Sequence, residues 1–365
     1  MQLHTIDIAS FRNISRAAVA FAPRINLLLG ANGQGKTNLI EAIAFLSWLR
    51  SFRTTRTKDL LQAGTERASL RATTEDRDGR HDLAVEIGPG FRRAVLDGHP
   101  VRAVRECLTR FTAVFLSPDD PAILEGGPDG RRGLLDRTAS LLDASHGAVL
   151  ARYHRLLRER NELLRQGAAD PVVMDACEEA LAEAAQAMIH ARVRTLERLE
   201  PALQACLREM TGLDLEVTIR YAPKGWTRSG AEDREALLQA LRASREADAA
   251  MGRTTVGPHG DDLEVRLLGL PARGHVSRGQ RKVLLLAWKV AETTLVQEER
   301  AEPPVLILDD VLSDLDPVRQ ERVLAILDGY PGQSFLTAAV APEHWNAEAI
   351  RRIRVVAGTY EVVLP

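Results

Sequence analysis

The sequence predicts an α/β protein of two lobes. One lobe is built from the first and last segments of the chain, and a largely helical second lobe with a small antiparallel sheet is inserted between them. Three observations predict this. An apolar run, "INLLL", leads through the glycine-rich "GANGQGKTN" into the helical pattern "LIEAIAFLSWL". From about Arg131 to Met210 the chain turns helical and rich in Ala, Leu, Arg and Glu. From residue 278 onward, helices and strands alternate again. The expected division is 1–118 with 299–365 for the first lobe and 119–298 for the second.

In chain order, "LHTIDIASF" and "INLLL" read as strands and residues 36 to 49 as a helix. "ASLRATT", "DLAVEI" and "RRAVLDG" read as short strands joined by turns. "FTAVFLS" reads as a buried strand closed by Pro118. The stretch from Pro171 to Met210 would be a helix of roughly 60 Å at 1.5 Å per residue. Pro201 is expected to kink or break it, and its modest apolar stripe suits a projecting arm as well as a core helix. "LEVTIRY" and "DDLEVRLLG" read as strands around a helix at about 233 to 249. A helix over about 278 to 298 follows, then the strand "VLILDD", a helix from Pro317 to Leu327, and strands at "SFLTAA" and "RIRVVAG".

Composition narrows the classes. Apolar residues make up 45%, enough for a sizeable core, and charged residues make up 27% with a formal net charge of -2. So even a balance places any anion-binding surface locally. The three cysteines, Cys107, Cys177 and Cys206, are far apart and form no C-x-x-C pair. They offer no metal site and fit a reducing compartment. The N-terminus is unlike a signal peptide, and no run reaches the roughly 18 apolar residues of a membrane helix. A soluble, cytoplasmic protein is expected.

Gly30-x-x-x-x-Gly35-Lys36-Thr37 is the phosphate-loop pattern. Glycines let successive backbone N–H groups turn inward around a polyphosphate, and the next helix points its positive end there. Gly30, Ala31, Asn32, Gly33, Gln34, Gly35, Lys36, Thr37 and Asn38 are therefore the expected ATP-binding residues. Lys36 would reach the β- and γ-phosphates, and the Thr37 hydroxyl would ligate Mg²⁺, which prefers oxygen donors. The partner carboxylates stand at the end of "VLILDD": Asp309 to hold the metal through water and Asp310 to polarise an attacking water. Ahead of the helix at 278, "VSRGQRK" fits a capping box through Ser277 and Gln280. Gly279 in a first turn costs about 1 kcal/mol against alanine, which makes sense if a ligand approaches the backbone closely. A helix start with a serine hydroxyl and a glycine N–H is also a second phosphate site.

"SRGQ" resembles the signature motif of ABC-type ATPases, and "LILDDVLSDLD" resembles their magnesium strand and D-loop, with Ser313, Asp314 and Asp316. Within that class, "SFRNI", "GANGQGKTNLIEAI", "LSWLRSFRT", "GPDGRRGLLD", "TVGPHGDDLEV", "VSRGQRKVLLLAWKVAE" and "LILDDVLSDLD" together resemble the RecF recombination-mediator family. The resemblance implies an ABC-type, SMC-like P-loop ATPase head with a mixed sheet core. It implies an ATP-sandwiched homodimer in which Ser277, Gly279 and Gln280 act in trans, and it places Arg12 and Asn13 near the nucleotide. It also implies weak DNA-stimulated ATPase activity and recombinase loading at single-strand gaps with RecO and RecR, in DNA repair, replication and the SOS response of a bacterium.

Some positions depart from the pattern. Gly260 stands where the family usually has arginine after "GPH". No glutamine switch follows "FTAVFL", and "SFLTAA" lacks a terminal histidine, with Thr337 nearby. Asp310 replaces the usual glutamate and is one methylene shorter. The missing sensors and the shorter Asp310 imply slow hydrolysis.

Three basic groups, Arg50, Arg53, Arg56 and Lys58, then Arg92, Arg93, Arg102 and Arg105, then Arg131, Arg132 and Arg137, are candidate contacts for duplex or junction DNA. Aromatics are 4% of the chain, which disfavours base stacking on single strands. Four alternatives stand beside this reading. They are a transporter ATPase subunit, an SMC head closing a long coiled coil, a small-molecule P-loop kinase, and a nucleotide-gated scaffold with negligible catalysis. The coiled-coil alternative needs hundreds of heptad residues, which 365 cannot supply.

Overall fold

The computed structural model describes residues 1–167, 170–228, 233–313, 315–342, 345 and 350–363. The chain divides into two compact units. The first comprises Met1–Pro121, Ala205–Asp214 and Ser277–Pro365, and the second Ala122–Gln204 and Leu215–Val276. This corrects the expected boundaries at one important place. The helix Arg278–Arg300 belongs with the first unit, not with the helical insertion. The reason is packing: it buries Leu284, Leu285, Ala287, Trp288 and Ala291 and lies against the strand Ala113–Leu116.

In the first unit a mixed six-stranded sheet runs in the order Thr359–Val363, Ile350–Val356, Ile25–Leu29, Ser334–Ala338, Val305–Leu308, Ala113–Leu116. All neighbours are parallel except the first pair, an antiparallel hairpin. Three strands are covered on both faces: Ser334–Ala338, Val305–Leu308 and even the edge strand Ala113–Leu116 are buried throughout. That is the pattern of parallel strands covered on both sides. Ser334–Ala338 lies between Ile25–Leu29 and Val305–Leu308, with Leu336 paired to both Leu27 and Leu308. The carboxyl ends of three adjacent strands therefore open on one edge, where open α/β sheets bind ligands.

The same unit holds an antiparallel sheet in which Gln2–Phe11, Ile14–Ala20, Ala68–Asp76, Gly79–Gly88, Phe91–Leu96 and His99–Pro100 take part. Leu70, Ala72, Leu83, Val85 and Ile87 face its core, while Arg71 and Asp82 face outward. Gln333, buried, joins the two sheets: it accepts from Leu3 N–H at 2.7 Å and donates to the Leu3 and Ala22 carbonyls at 2.9 and 2.7 Å.

The second unit is helical, with Pro128–Leu142, His146–Gln166 and most of Pro171–Thr211 as its long elements. The helix Pro171–Thr211 runs through Pro201 without ending, so the expected break is absent. It buries Leu181, Ala185, Met188, Ile189 and Leu199, which makes it a core helix rather than a bare arm. Tyr153, Leu156, Leu237 and Leu241 complete that core. The helix expected at 233 to 249 is two, Asp233–Ala243 and Arg245–Met251. A three-stranded sheet of Val217–Ala222, Asp262–Leu267 and Leu270–Pro271 closes the unit, as the sequence predicts for a small antiparallel sheet. Arg160, fully buried, is held by Glu178 at 3.0 Å and Asp248 at 2.7 Å, and Arg192 by Asp136 at 2.8 Å. Buried charges survive because they are paired and hydrogen-bonded.

Candidate nucleotide site

The phosphate loop joins Ile25–Leu29 to the helix Lys36–Trp48. Two of its glycines are required by close approach. A Cβ on Gly30 would run into the Val355 carbonyl. Gly35 has φ +114 and would press a Cβ against Asn13 and the Tyr360 hydroxyl. Gly33 is also left-handed, with φ +80. Ala31, Asn32 and Gly33 are exposed and Gln34 half-buried, so the loop's outer rim faces solvent. Lys36 is buried and folds over the loop, donating to the Gly30 carbonyl at 2.6 Å and the Ala31 carbonyl at 3.1 Å. A polyphosphate would take over that ammonium, since an anion is a stronger acceptor than a peptide carbonyl.

The loop is braced by Asn13 and by a C-terminal hairpin that no motif marks. Tyr360 donates its hydroxyl to the Gly35 carbonyl at 2.9 Å. Gly358 N–H donates to the Gln34 carbonyl, and Ala357 N–H to Gln34 Oε1, each at 2.8 Å. Asn13 accepts from Asn38 Nδ2 at 2.7 Å, beside Gly35. Arg12, next to Asn13, is held against the phosphate-loop helix. It forks onto Glu41 at 2.6 and 2.9 Å and donates to the Asp59 carbonyl at 2.6 Å. Its guanidinium thus holds the second turn of the phosphate-loop helix.

Asp309, 2% exposed, ends the strand Val305–Leu308. Its Oδ1 accepts from the Thr337 hydroxyl at 2.6 Å, while Oδ2 is buried with no hydrogen-bond partner. Burial pushes this carboxyl above its ordinary range, against the pull of the Thr337 and Thr37 hydroxyls; the Asp310 charge adds to the rise and Lys36 opposes it. A buried carboxylate oxygen without a partner, close to a threonine hydroxyl and an ammonium, fits a hard cation with oxygen ligands. Thr37 and Asp309 are the residues that would hold Mg²⁺. Such an ion would draw charge from the transferring phosphoryl group.

Thr337 was visible in the sequence only as a residue near a missing histidine. It stands on the strand between the phosphate loop and Asp309. It also accepts from Asp310 N–H at 2.9 Å, so one hydroxyl orients both carboxylate residues. Asp310 is half-buried with φ +51. Its carboxylate accepts from the Ser313 hydroxyl at 3.0 Å. Asp314 lies outside the described residues. Asp316 caps the helix Pro317–Gly329 by accepting from Arg319 N–H at 3.0 Å.

Ser277 and Gln280 form the capping box read from the sequence. Ser277 Oγ accepts from Gln280 N–H at 3.2 Å, and Ser277 N–H donates to Gln280 Oε1 at 2.9 Å. Both residues are exposed. A Cβ on Gly279 would meet nothing within 4 Å, so the chain's own packing does not call for glycine there.

The basic groups separate. Arg56 is 81% exposed beside Asp59, Lys58 is exposed, and Arg50 lies 5.1 Å above the Trp48 ring. Arg53 is drawn back to Glu41 at 3.2 Å and Asn38 at 3.0 Å. Arg92, Arg93, Arg102 and Arg105 are exposed. Arg131 and Arg132 do not form a DNA-facing pair. Arg131 is buried, bidentate to Asp262 at 2.8 and 2.9 Å and donating to the Gly126 carbonyl. Arg132 holds the Asp261 carbonyl and Asp129. The acids of "GPHGDD" neutralise or anchor them, which the spacing of basic residues alone does not reveal.

The family described as RecF/RecN/SMC N terminal domain matches residues 2–360. The chain belongs to the RecF family. It is 37% identical over 341 residues to the DNA replication and repair protein RecF of Anaeromyxobacter sp., covering 92% of each chain. It is 38% identical over 335 residues to that of Geobacter metallireducens, covering 91% of each. It superimposes on a RecF–ATP structure, a recombination mediator protein of the RecFOR pathway, with TM-score 0.90, 29% identity and coverage of 99% and 97%. An Smc head domain from Pyrococcus furiosus shares the fold at TM-score 0.56 and 16% identity. The ABC-type, SMC-like head expected from the motifs is therefore the fold of this RecF-family chain.

Of the other expectations, all three thiols are free, and burial pushes those of Cys107 and Cys206 up to about 12. No described helix is long and apolar enough to cross a membrane.

Proposed function

We propose that this RecF-family protein is an ATP-dependent DNA-binding recombination mediator that dimerises when it binds ATP. Lys36 and the loop amides hold the phosphates, Thr37 and Asp309 hold Mg²⁺, and Asp310 orients the attacking water. Ser277, Gly279 and Gln280 close over the γ-phosphate of the partner's ATP. The observation that carries the proposal is the exposed start of Arg278–Arg300. It offers a serine hydroxyl, a helix dipole and a glycine with open space where a Cβ would stand, in a protein that also has a complete phosphate loop. ATP closes the dimer on DNA, and hydrolysis opens it. Turnover is slow, because Asp310 is short and Thr337 stands where a γ-phosphate sensor is expected.

The DNA would be gapped or junction duplex, gripped through its backbone by Arg50, Arg56 and Lys58, with Arg92, Arg93, Arg102 and Arg105 adding charge. Arg53 would join them on release from Glu41. RecR and RecO are the proposed partners in recombinase loading, in the cytoplasm and on the nucleoid. Membership of the RecF family argues against a transporter subunit.

The test is binding to gapped duplex at several salt concentrations with ATP and Mg²⁺. The wild type should need ATP to bind, and Lys36→Met should fail to bind with or without ATP. Arg56→Ala/Lys58→Ala should weaken all duplexes alike and reduce the salt slope by about 2. Equal binding with and without ATP would overturn the proposal. ATP-dependent binding without measurable hydrolysis would leave a nucleotide-gated scaffold instead of an ATPase.

A further inference from the structure

Lys282 is 6% exposed and sits one turn into the helix Arg278–Arg300. A buried ammonium is costly unless hydrogen bonds replace its water. Its Nζ donates to the Asp310 carbonyl at 2.9 Å and lies 3.2 Å from the Ser313 hydroxyl. Ser313 in turn reaches the Asp310 carboxylate at 3.0 Å. Asp310 has φ +51, a backbone conformation that depends on its surroundings for a residue with a side chain. On the other side, Asp310 N–H and the Asp309 carboxylate share the Thr337 hydroxyl. A chain of hydrogen bonds inside the first unit thus runs from the signature helix, through Lys282, to the Asp310 and Asp309 carboxylates.

We propose that Lys282 is a positioning residue that couples the two nucleotide sites of the dimer. Resting on the ATP sandwich proposed above, contact of Ser277–Gln280 with the partner's γ-phosphate shifts the start of the helix. Lys282 passes that shift to the Asp310–Ser313 turn, which aims the carboxylate at this chain's own ATP. Each site then fires well only when the other is filled. A lysine that merely stabilised the fold would alter melting without altering how rate depends on ATP concentration.

The experiment is steady-state hydrolysis against ATP concentration, with duplex DNA. Protein is held at a level where sedimentation shows the ATP-bound wild type to be fully dimeric. The wild type should give a Hill coefficient approaching 2, the number of sites. Lys282→Met should bind ATP and dimerise like the wild type. Its Hill coefficient should fall to about 1, and its maximal rate about tenfold, the loss of roughly one charge-assisted hydrogen bond. Lys282→Arg should restore part of the cooperativity. Ser313→Ala, at an exposed position, should act in the same direction and decides the matter if Lys282→Met does not fold. Wild-type Hill coefficient and rate in both variants would overturn the coupling while leaving the dimer intact. A wild type that stays monomeric with ATP would overturn the sandwich and the coupling with it.

Discussion

Asp309 carries the conflict between stability and function in one side chain. Burial raises its pKa, its Oδ1 is satisfied by Thr337, and its Oδ2 has no hydrogen-bond partner. A folded-state pKa above the unfolded one means that ionisation opposes folding, increasingly as pH rises through the folded value. Asp309→Asn keeps an acceptor for Thr337 and removes the buried charge. The nucleotide-free variant should melt higher than the wild type at neutral pH. The gain should shrink as pH falls towards about 4, where the unfolded carboxyl also protonates. Hydrolysis should fall about 10- to 100-fold, the usual cost of removing a group that orients a metal's ligands. Differential scanning calorimetry with a phosphate-release assay checks both; a lower melting temperature would contradict the electrostatic account.

The elements show what a sequence reveals and what it hides. Strand, glycine loop and helix were legible at residues 25 to 48 because glycine spacing and apolar runs are local signals. The hairpin of Ile350–Val356 and Thr359–Val363 was half legible, and its role was hidden. Tyr360, Ala357 and Gly358 reach the phosphate loop from more than 300 positions away, through contacts that no local pattern encodes. Ile14–Ala20 was missed because Ala17, Ala18 and Ala20 give little alternation. Arg131 and Arg132 misled for the opposite reason: charge was visible, but the Asp262 carboxylate and the Asp261 carbonyl that draw them in lie about 130 residues on.

The helical unit has its own electrostatic signature. Burial raises Asp136, but the Arg192 guanidinium and His146 outweigh it and hold the carboxyl at about 2. A depressed carboxyl contributes stability that is fully present above the unfolded value, near 4, and is lost as pH falls to about 2. Asp136→Asn should lower unfolding free energy by at least about 2 kcal/mol at pH 7. Urea titrations should show that gap closing between about pH 4 and pH 2, and a constant gap would contradict the assignment.

At the scale of the whole molecule, the central claim is that the nucleotide site is complete only in a dimer. The phosphate loop, Thr337 and the Asp309–Asp310 pair belong to three neighbouring strands, while Ser277, Gly279 and Gln280 present an open helix start on the same unit. Most of this layout follows from motif order, whereas the placement of the signature helix with the first unit needed the packing of Trp288 and its neighbours to be seen. The most direct measurement is sedimentation velocity of the wild type, Lys36→Met and Ser277→Arg, each with and without ATP and Mg²⁺. The wild type should shift from monomer to dimer only with ATP. Lys36→Met should bind ATP poorly and stay monomeric, while Ser277→Arg should bind ATP yet stay monomeric, because its defect lies in trans. A wild type that binds ATP and remains monomeric would contradict the account and reduce "VSRGQ" to an ordinary helix cap.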